Sequence, residues 1–193
     1  MVARALLGLC GLVAGGLALG AGQDPAPAAK LLQDAHDLAR VGDAHRLLAK
    51  LAGGFDVVLD TLVPDGGTRS GAGRIEARTV LGGRYVVLSG HLRVQDTDLE
   101  VLQILGYDTL QQQFTSSWRD DRSTWAVEAV AAADDVATGR LRYRGSLRDA
   151  TAPDGRAFRF ELDLRDPDHV TLRAFDGAAD SDRPTQTQHW TRR

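Results

Sequence analysis

Apolar residues recur at two different periods along this chain, and the period changes near Gly54. Between Lys30 and Leu51, residues Leu31, Leu32, Ala35, Leu38, Ala39, Leu47, Leu48 and Leu51 fall at helical spacing. Gly42 interrupts the run, so the pattern predicts one broken helix or two short ones, stopped by Gly53-Gly54. Beyond Gly54, short alternating or β-branched runs are separated by Gly, Asp or Pro. They predict strands near Phe55–Val63, Gly73–Leu81, Arg84–Val94, Leu99–Tyr107 and Gln111–Arg119. Five more are expected near Thr124–Ala131, Arg140–Leu147, Arg156–Leu164, His169–Phe175 and Thr185–Thr191. Pro64-Asp65-Gly66-Gly67, Gly82-Gly83, Asp120-Asp121, Pro153-Asp154-Gly155 and Asp166-Pro167-Asp168 supply turn chemistry between them. Short consecutive strands with tight turns suit a mainly β, antiparallel up-and-down barrel of about ten strands, which leaves no edge exposed. A half-open sheet or a sandwich is the alternative.

The second half alternates cleanly. Leu141, Tyr143, Gly145 and Leu147 oppose Arg142, Arg144, Ser146 and Arg148, and Phe158, Phe160, Leu162 and Leu164 oppose Ala157, Arg159, Glu161 and Asp163. One dry face and one wet face are what a barrel wall requires. On the wet face, Arg142, Arg144 and Arg148 are expected to pair across strands with acids such as Glu161 and Asp163 rather than to hold an anion. The first half is mixed. Tyr85, Val87, Ser89, His91 and Arg93 share a face, as do Val101, Gln103, Leu105 and Tyr107, and Gln112, Phe114, Ser116 and Trp118. Such polar and aromatic rows fit the lining of an internal cavity. They fit a half-solvated outer wall equally well.

The N-terminus has its own composition. Arg4 precedes an apolar run from Ala5 to Gly22 that ends in small residues, the pattern of a secretory signal peptide cleaved after Gly20 or Gly22. The expected organisation is a signal peptide at 1–22, an extended Pro/Ala linker at 23–29, a helical segment at 30–52 and a barrel domain at 53–193. Export would place the protein in the periplasm or outside the cell, with membrane contact only during translocation. Cys10 is the only cysteine, and Leu9 before it does not fit a lipobox, so a cleaved chain would contain no thiol and no disulfide. The charge of −3, from 23 basic and 26 acidic residues, argues against nucleic acid as a partner.

Chemical signatures are sparse. Gly66–Gly73 is glycine-rich but lacks the Lys-Ser/Thr of a phosphate-binding loop, and it reads as a connection between strands. There is no nucleophile elbow or zinc-protease motif. The acidic Asp176–Asp182 stretch does not have the spacing of a calcium-binding loop and reads as a solvated connection. His36 and His45 are nine residues apart, which is not a helical metal pair. No cofactor is indicated. His189 on the last strand is a minor candidate for a haem ligand. His91 with Glu100, or Asp108 with Tyr85, would be acid/base pairs on an enzymatic reading.

Four segments together carry a resemblance. His45-Arg46-Leu47-Leu48 leading to Leu51-Ala52-Gly53-Gly54-Phe55, then Leu81-Gly82-Gly83-Arg84-Tyr85-Val86, Gly106-Tyr107-Asp108 with Phe114 and Trp118-Arg119-Asp120, and finally His189-Trp190-Thr191-Arg192-Arg193 occur in consistent order. Over roughly residues 43–193 the chain resembles a bacterial family known as domain of unknown function 1579, with Phe55 where that family usually has tryptophan. The resemblance implies a lipocalin-like antiparallel barrel and no established activity. It leaves the repeated residues open to structural roles: Gly82-Gly83 for a tight turn, Gly106 for close backbone approach, Trp118 for core.

The leading expectation is an exported, non-enzymatic barrel that binds a small apolar or amphipathic ligand. Tyr85, His91, Tyr107, Phe114, Trp118 and Trp125 are its candidate lining. The alternatives are an enzyme using His91 or Asp108, and a cell-envelope interaction module that docks through the Lys30–Leu51 helix.

Overall fold

A computed structural model describes residues 25–94, 96–149, 152–177 and 183–193, so the expected signal peptide lies outside the described residues. The chain divides into two compact units, 1–39 and 40–193. The first contributes helix α1 (Pro25–Leu38), which includes part of the segment expected to be an extended linker. The interrupted pattern around Gly42 resolves into two helices, because α2 (Asp43–Ala49) starts afresh after it.

The second unit is a closed antiparallel barrel of ten strands in sequence order. They are β1 (Gly53–Leu62), β2 (Thr68–Val80), β3 (Tyr85–Val94), β4 (Thr97–Asp108) and β5 (Gln113–Asp120), then β6 (Val127–Ala132), β7 (Arg140–Asp149), β8 (Ala152–Asp163), β9 (His169–Asp176) and β10 (Gln186–Arg192). A one-turn helix α3 (Asp135–Thr138) connects β6 to β7. Closure comes from β1, which pairs with β2 on one side and with β10 on the other. All ten strands lie where the alternation placed them. The glycine-rich Thr68–Gly73 segment, expected as a loop, instead extends β2. Its glycines allow strands to pass closely: a Cβ at Gly71 would stand 2.0 Å from the Arg93 carbonyl oxygen.

One end of the barrel is plugged. Leu47, Leu48 and Leu51 of α2 and the turn after it join Phe55, Leu105, Phe114, Leu141, Leu164, Val170 and Trp190 in a continuous buried core. Each such side chain contributes roughly 1.5–3 kcal/mol by leaving water. The Leu81-Gly82-Gly83 turn connecting β2 to β3 has positive φ at all three residues (51°, 68° and 85°), which the two glycines adopt without steric cost. The opposite end is where β1 runs to β2, β3 to β4, β5 to β6, β7 to β8 and β9 to β10. That end is the mouth.

On the outer wall the expected arginine pairing is only partly realised. Arg142 lies opposite Glu161 in register, but its ion contact is Asp135 at 3.8 Å. Arg144 faces Arg159, which bonds Glu161 on its own strand at 3.1 Å. Arg156 bridges two strands by reaching both Asp149 and Asp176, at 2.6 Å each.

Candidate functional site

Between the plugged end and the mouth lies a cavity of about 190 Å³. Inward residues of seven strands build it. Its apolar wall is Val127, Leu147, Phe158, Phe160, Leu172 and Ala174, with Trp118 beside them. Phe160 is held from behind by Tyr143, whose ring stacks on it at 4.4 Å between centroids. Trp118, Val127, Leu147, Phe158, Ala174 and Gln186 are half-buried, so the cavity reaches solvent through the mouth, whereas Phe160, Leu172, Gln103, Ser116 and Gln188 are buried.

The polar part of the lining is neutral. Gln103 Nε2 donates to Ser116 Oγ across the β4–β5 pair at 2.9 Å. Across the cavity, β10 carries a hydrogen-bonded chain. Trp190 Nε1 donates to Gln188 Oε1 (2.9 Å), Gln188 Nε2 to Gln186 Oε1 (2.7 Å), and Gln186 Nε2 to Thr61 Oγ1 (3.3 Å). Among the described residues the lining contains no Asp, Glu, Lys, Arg or His. The cavity can therefore accept an uncharged molecule without burying an uncompensated charge.

The six residues proposed from the pattern are dispersed. Trp118 lines the cavity, and its Nε1 donates to Asp120 Oδ2 at 3.4 Å. Tyr107 and Phe114 belong to the plugged end, where their rings meet edge to face at 5.0 Å. Tyr85 and His91 lie on the outer wall, because the mixed row of β3 faces solvent and Val86, Leu88 and Leu92 face in. Trp125, in the β5–β6 connection, is exposed. The mixed rows of β4 and β5, by contrast, do face inward. Gln103 and Ser116 were polar members of those rows, whereas Gln112, the third, lies exposed in the β4–β5 turn. The Gln186-Thr187-Gln188-His189-Trp190 alternation was a second legible signal, with glutamines at two consecutive inward positions followed by tryptophan at the third.

The other chemical candidates lie away from the cavity. His91 and Glu100 are register partners on the outer wall. Asp108 Oδ1 accepts the backbone N–H groups of Leu110 and Gln111, and so forms the β4–β5 turn. His189 points outward from β10, on the side opposite the interior. Among the described residues no group of three His, Cys, Asp or Glu side chains is arranged to hold a metal ion.

The residues that carry the family resemblance cluster at the plugged end. His45 is buried; its Nδ1 accepts the Gly42 N–H at 3.1 Å, and its ring meets Tyr107 edge to face at 5.8 Å. Burial, then the charges of Arg84 and Arg46, push the His45 pKa below its ordinary value, which keeps the imidazole neutral. Gly106 makes room for an aromatic ring rather than a backbone: a Cβ there would lie 2.7 Å from Tyr85 Cδ1. Arg192 passes over the Phe55 ring and donates to the carbonyls of Lys50, Ala52 and Pro167 and to Asp168 Oδ1, all at 2.7 Å. Trp118, a candidate for the lining for which the resemblance also left a core role open, is the member of this set that lines the cavity, and it packs against the core as well.

No curated protein matches the chain. Residues 40–191 match the family described as "Protein of unknown function (DUF1579)", a span that coincides with the barrel and its plugging helix, and the chain belongs to that family.

Proposed function

We propose that this protein is an exported carrier or sensor that binds one small, uncharged, largely apolar molecule in the open half of its barrel. The observation that carries the reading is the cavity itself: about 190 Å³, apolar on one side, lined among the described residues by neutral side chains and open to the mouth. An engineered apolar cavity of about 150 Å³ is known to take up benzene. The space here thus matches a single substituted ring or a short chain, and falls below the roughly 300 Å³ at which sites for larger ligands begin. The acid/base reading is less well supported, because His91 stands exposed on the outer wall and Asp108 Oδ1 is engaged by turn N–H groups.

The test uses protein recovered from the exported fraction, whose intact mass should show a chain beginning at Ala21 or Gln23. Toluene is titrated while tryptophan fluorescence and heteronuclear NMR shifts are followed. Saturable shifts should appear at Trp118, Phe158 and Ala174. Ala174→Leu adds three carbon atoms to the cavity wall and should weaken toluene binding at least about tenfold while leaving the unfolding midpoint unchanged or higher. Absence of saturable binding, or equal binding by the filled variant, would refute the reading.

A further inference from the structure

We infer that the molecule this cavity accepts carries a hydroxyl group, as a phenol or a short-chain alcohol does, and that Gln103 and Ser116 recognise it. The inference rests on the binding reading above and deepens it. Its basis is an imbalance between the two polar sides of the cavity. On β10 the amides are engaged at both ends, since Gln188 accepts from Trp190 and donates to Gln186, which in turn donates to Thr61. On β4 and β5 the bond between the two buried polar side chains runs from Gln103 Nε2 to Ser116 Oγ, and among the described residues Gln103 Oε1 has no hydrogen-bond partner. Gln103 is only 5% exposed and lines the cavity, yet its carbonyl oxygen is not among the fully buried unpaired atoms, so it stays accessible from the cavity. A ligand that displaces water from that oxygen without bonding it leaves it unpaired at a cost, and a ligand that bonds it avoids the loss.

The donor and acceptor count narrows the class. With Nε2 donating to Ser116, the pair still offers the Gln103 oxygen as acceptor and the Ser116 O–H as donor. If the amide is turned over, Ser116 O–H donates to Gln103 Oε1, and the pair offers an amide N–H and a serine lone pair. Either arrangement presents one acceptor beside one donor. A hydroxyl group satisfies both at once, whereas an ether or ketone can only accept and a hydrocarbon does neither. A carboxylate is disfavoured, because no cation among the described residues lines the cavity to offset its desolvation.

Three probes of nearly one shape distinguish the possibilities: p-cresol, 4-methylanisole and toluene, titrated calorimetrically at pH 7, where a phenol remains neutral. A cavity without a polar partner would rank toluene first, since a hydroxyl loses its hydration on entering. We expect p-cresol to bind at least about tenfold more tightly than either of the others. Gln103→Met should abolish that preference while toluene affinity stays within about twofold. Ser116→Ala, which deletes a single hydroxyl, should narrow the preference too, and it carries the test if the methionine variant does not fold. Toluene binding as tight as p-cresol in the unmodified protein would overturn the hydroxyl assignment and leave the cavity reading standing. Failure of all three probes to bind would overturn both.

Discussion

Arg192 shows how much one side chain at the end of the sequence can contribute. Its guanidinium reaches two carbonyls of the α2–β1 connection and both the Pro167 carbonyl and the Asp168 carboxylate of the β8–β9 turn, while its plane lies over Phe55. Charge-assisted bonds to otherwise orphaned helix-end carbonyls are among the stronger ones in a protein. Arg192→Ala should therefore lower unfolding free energy by about 2–4 kcal/mol in urea titration. Arg192→Lys should recover little of it, since an ammonium cannot span the same fork of acceptors.

Two titrating residues give the protein a pH profile with a definite sign. His45 has a depressed pKa in the folded state, so the unfolded chain binds its proton more readily. The stability His45 contributes is full above pH 6.5 and is lost as pH falls below that value. Asp163 is also held low, first by its bond from Arg165 and further by the Arg165 backbone and Arg140, against the opposing effect of burial. Its contribution is present above pH 3.8 and fades as the pH drops further. Urea midpoints measured from pH 8 to pH 3 should decline in these two successive windows. His45→Gln, which cannot acquire the imidazolium charge, should flatten the upper one alone.

At the scale of elements, the barrel wall is uneven. β3 and β4 share ten registered pairs, whereas β6 and β7 share two, Ala129 with Gly145 and Val130 with Arg144. The insertion of α3 separates the two strands toward the plugged end, and Asp135 Oδ2 there accepts the Arg142 N–H at 2.7 Å in place of a strand neighbour. Gly145 permits the close approach that remains, because a Cβ would stand 2.2 Å from the Glu128 carbonyl oxygen. Hydrogen exchange should open β6 before β3 and β4. Gly145→Ala should cost about 1–3 kcal/mol and accelerate exchange selectively at this seam. Uniform acceleration around the barrel would contradict that picture.

At the scale of the whole molecule, the two ends divide the work. The plugged end gathers the residues that mark the family, His45, Phe55, Gly106, Trp190 and Arg192, and they pack, turn and clamp. The open half holds the cavity, built largely from residues outside those motifs. Trp118 alone stands in both sets. Its neighbours Gln103 and Ser116 were visible in the sequence as polar members of otherwise apolar rows, yet nothing local marked them apart from the polar row of β3.

The sequence by itself determined the strands, because alternation at period two and the Gly, Asp and Pro turns are local properties of the chain. It also determined the inward faces of β7 and β8, where one side is apolar and the other charged. Tertiary structure decided the rest. In a mixed strand the two faces differ too little for burial to be read from composition, and only closure of the barrel turned Tyr85 and His91 outward and Gln103 and Ser116 inward. The cavity is likewise a property of closure. It is the space left when side chains from β4, β5, β6, β7, β8, β9 and β10 meet, and its volume depends on how they fit across the interior rather than on any one stretch of sequence.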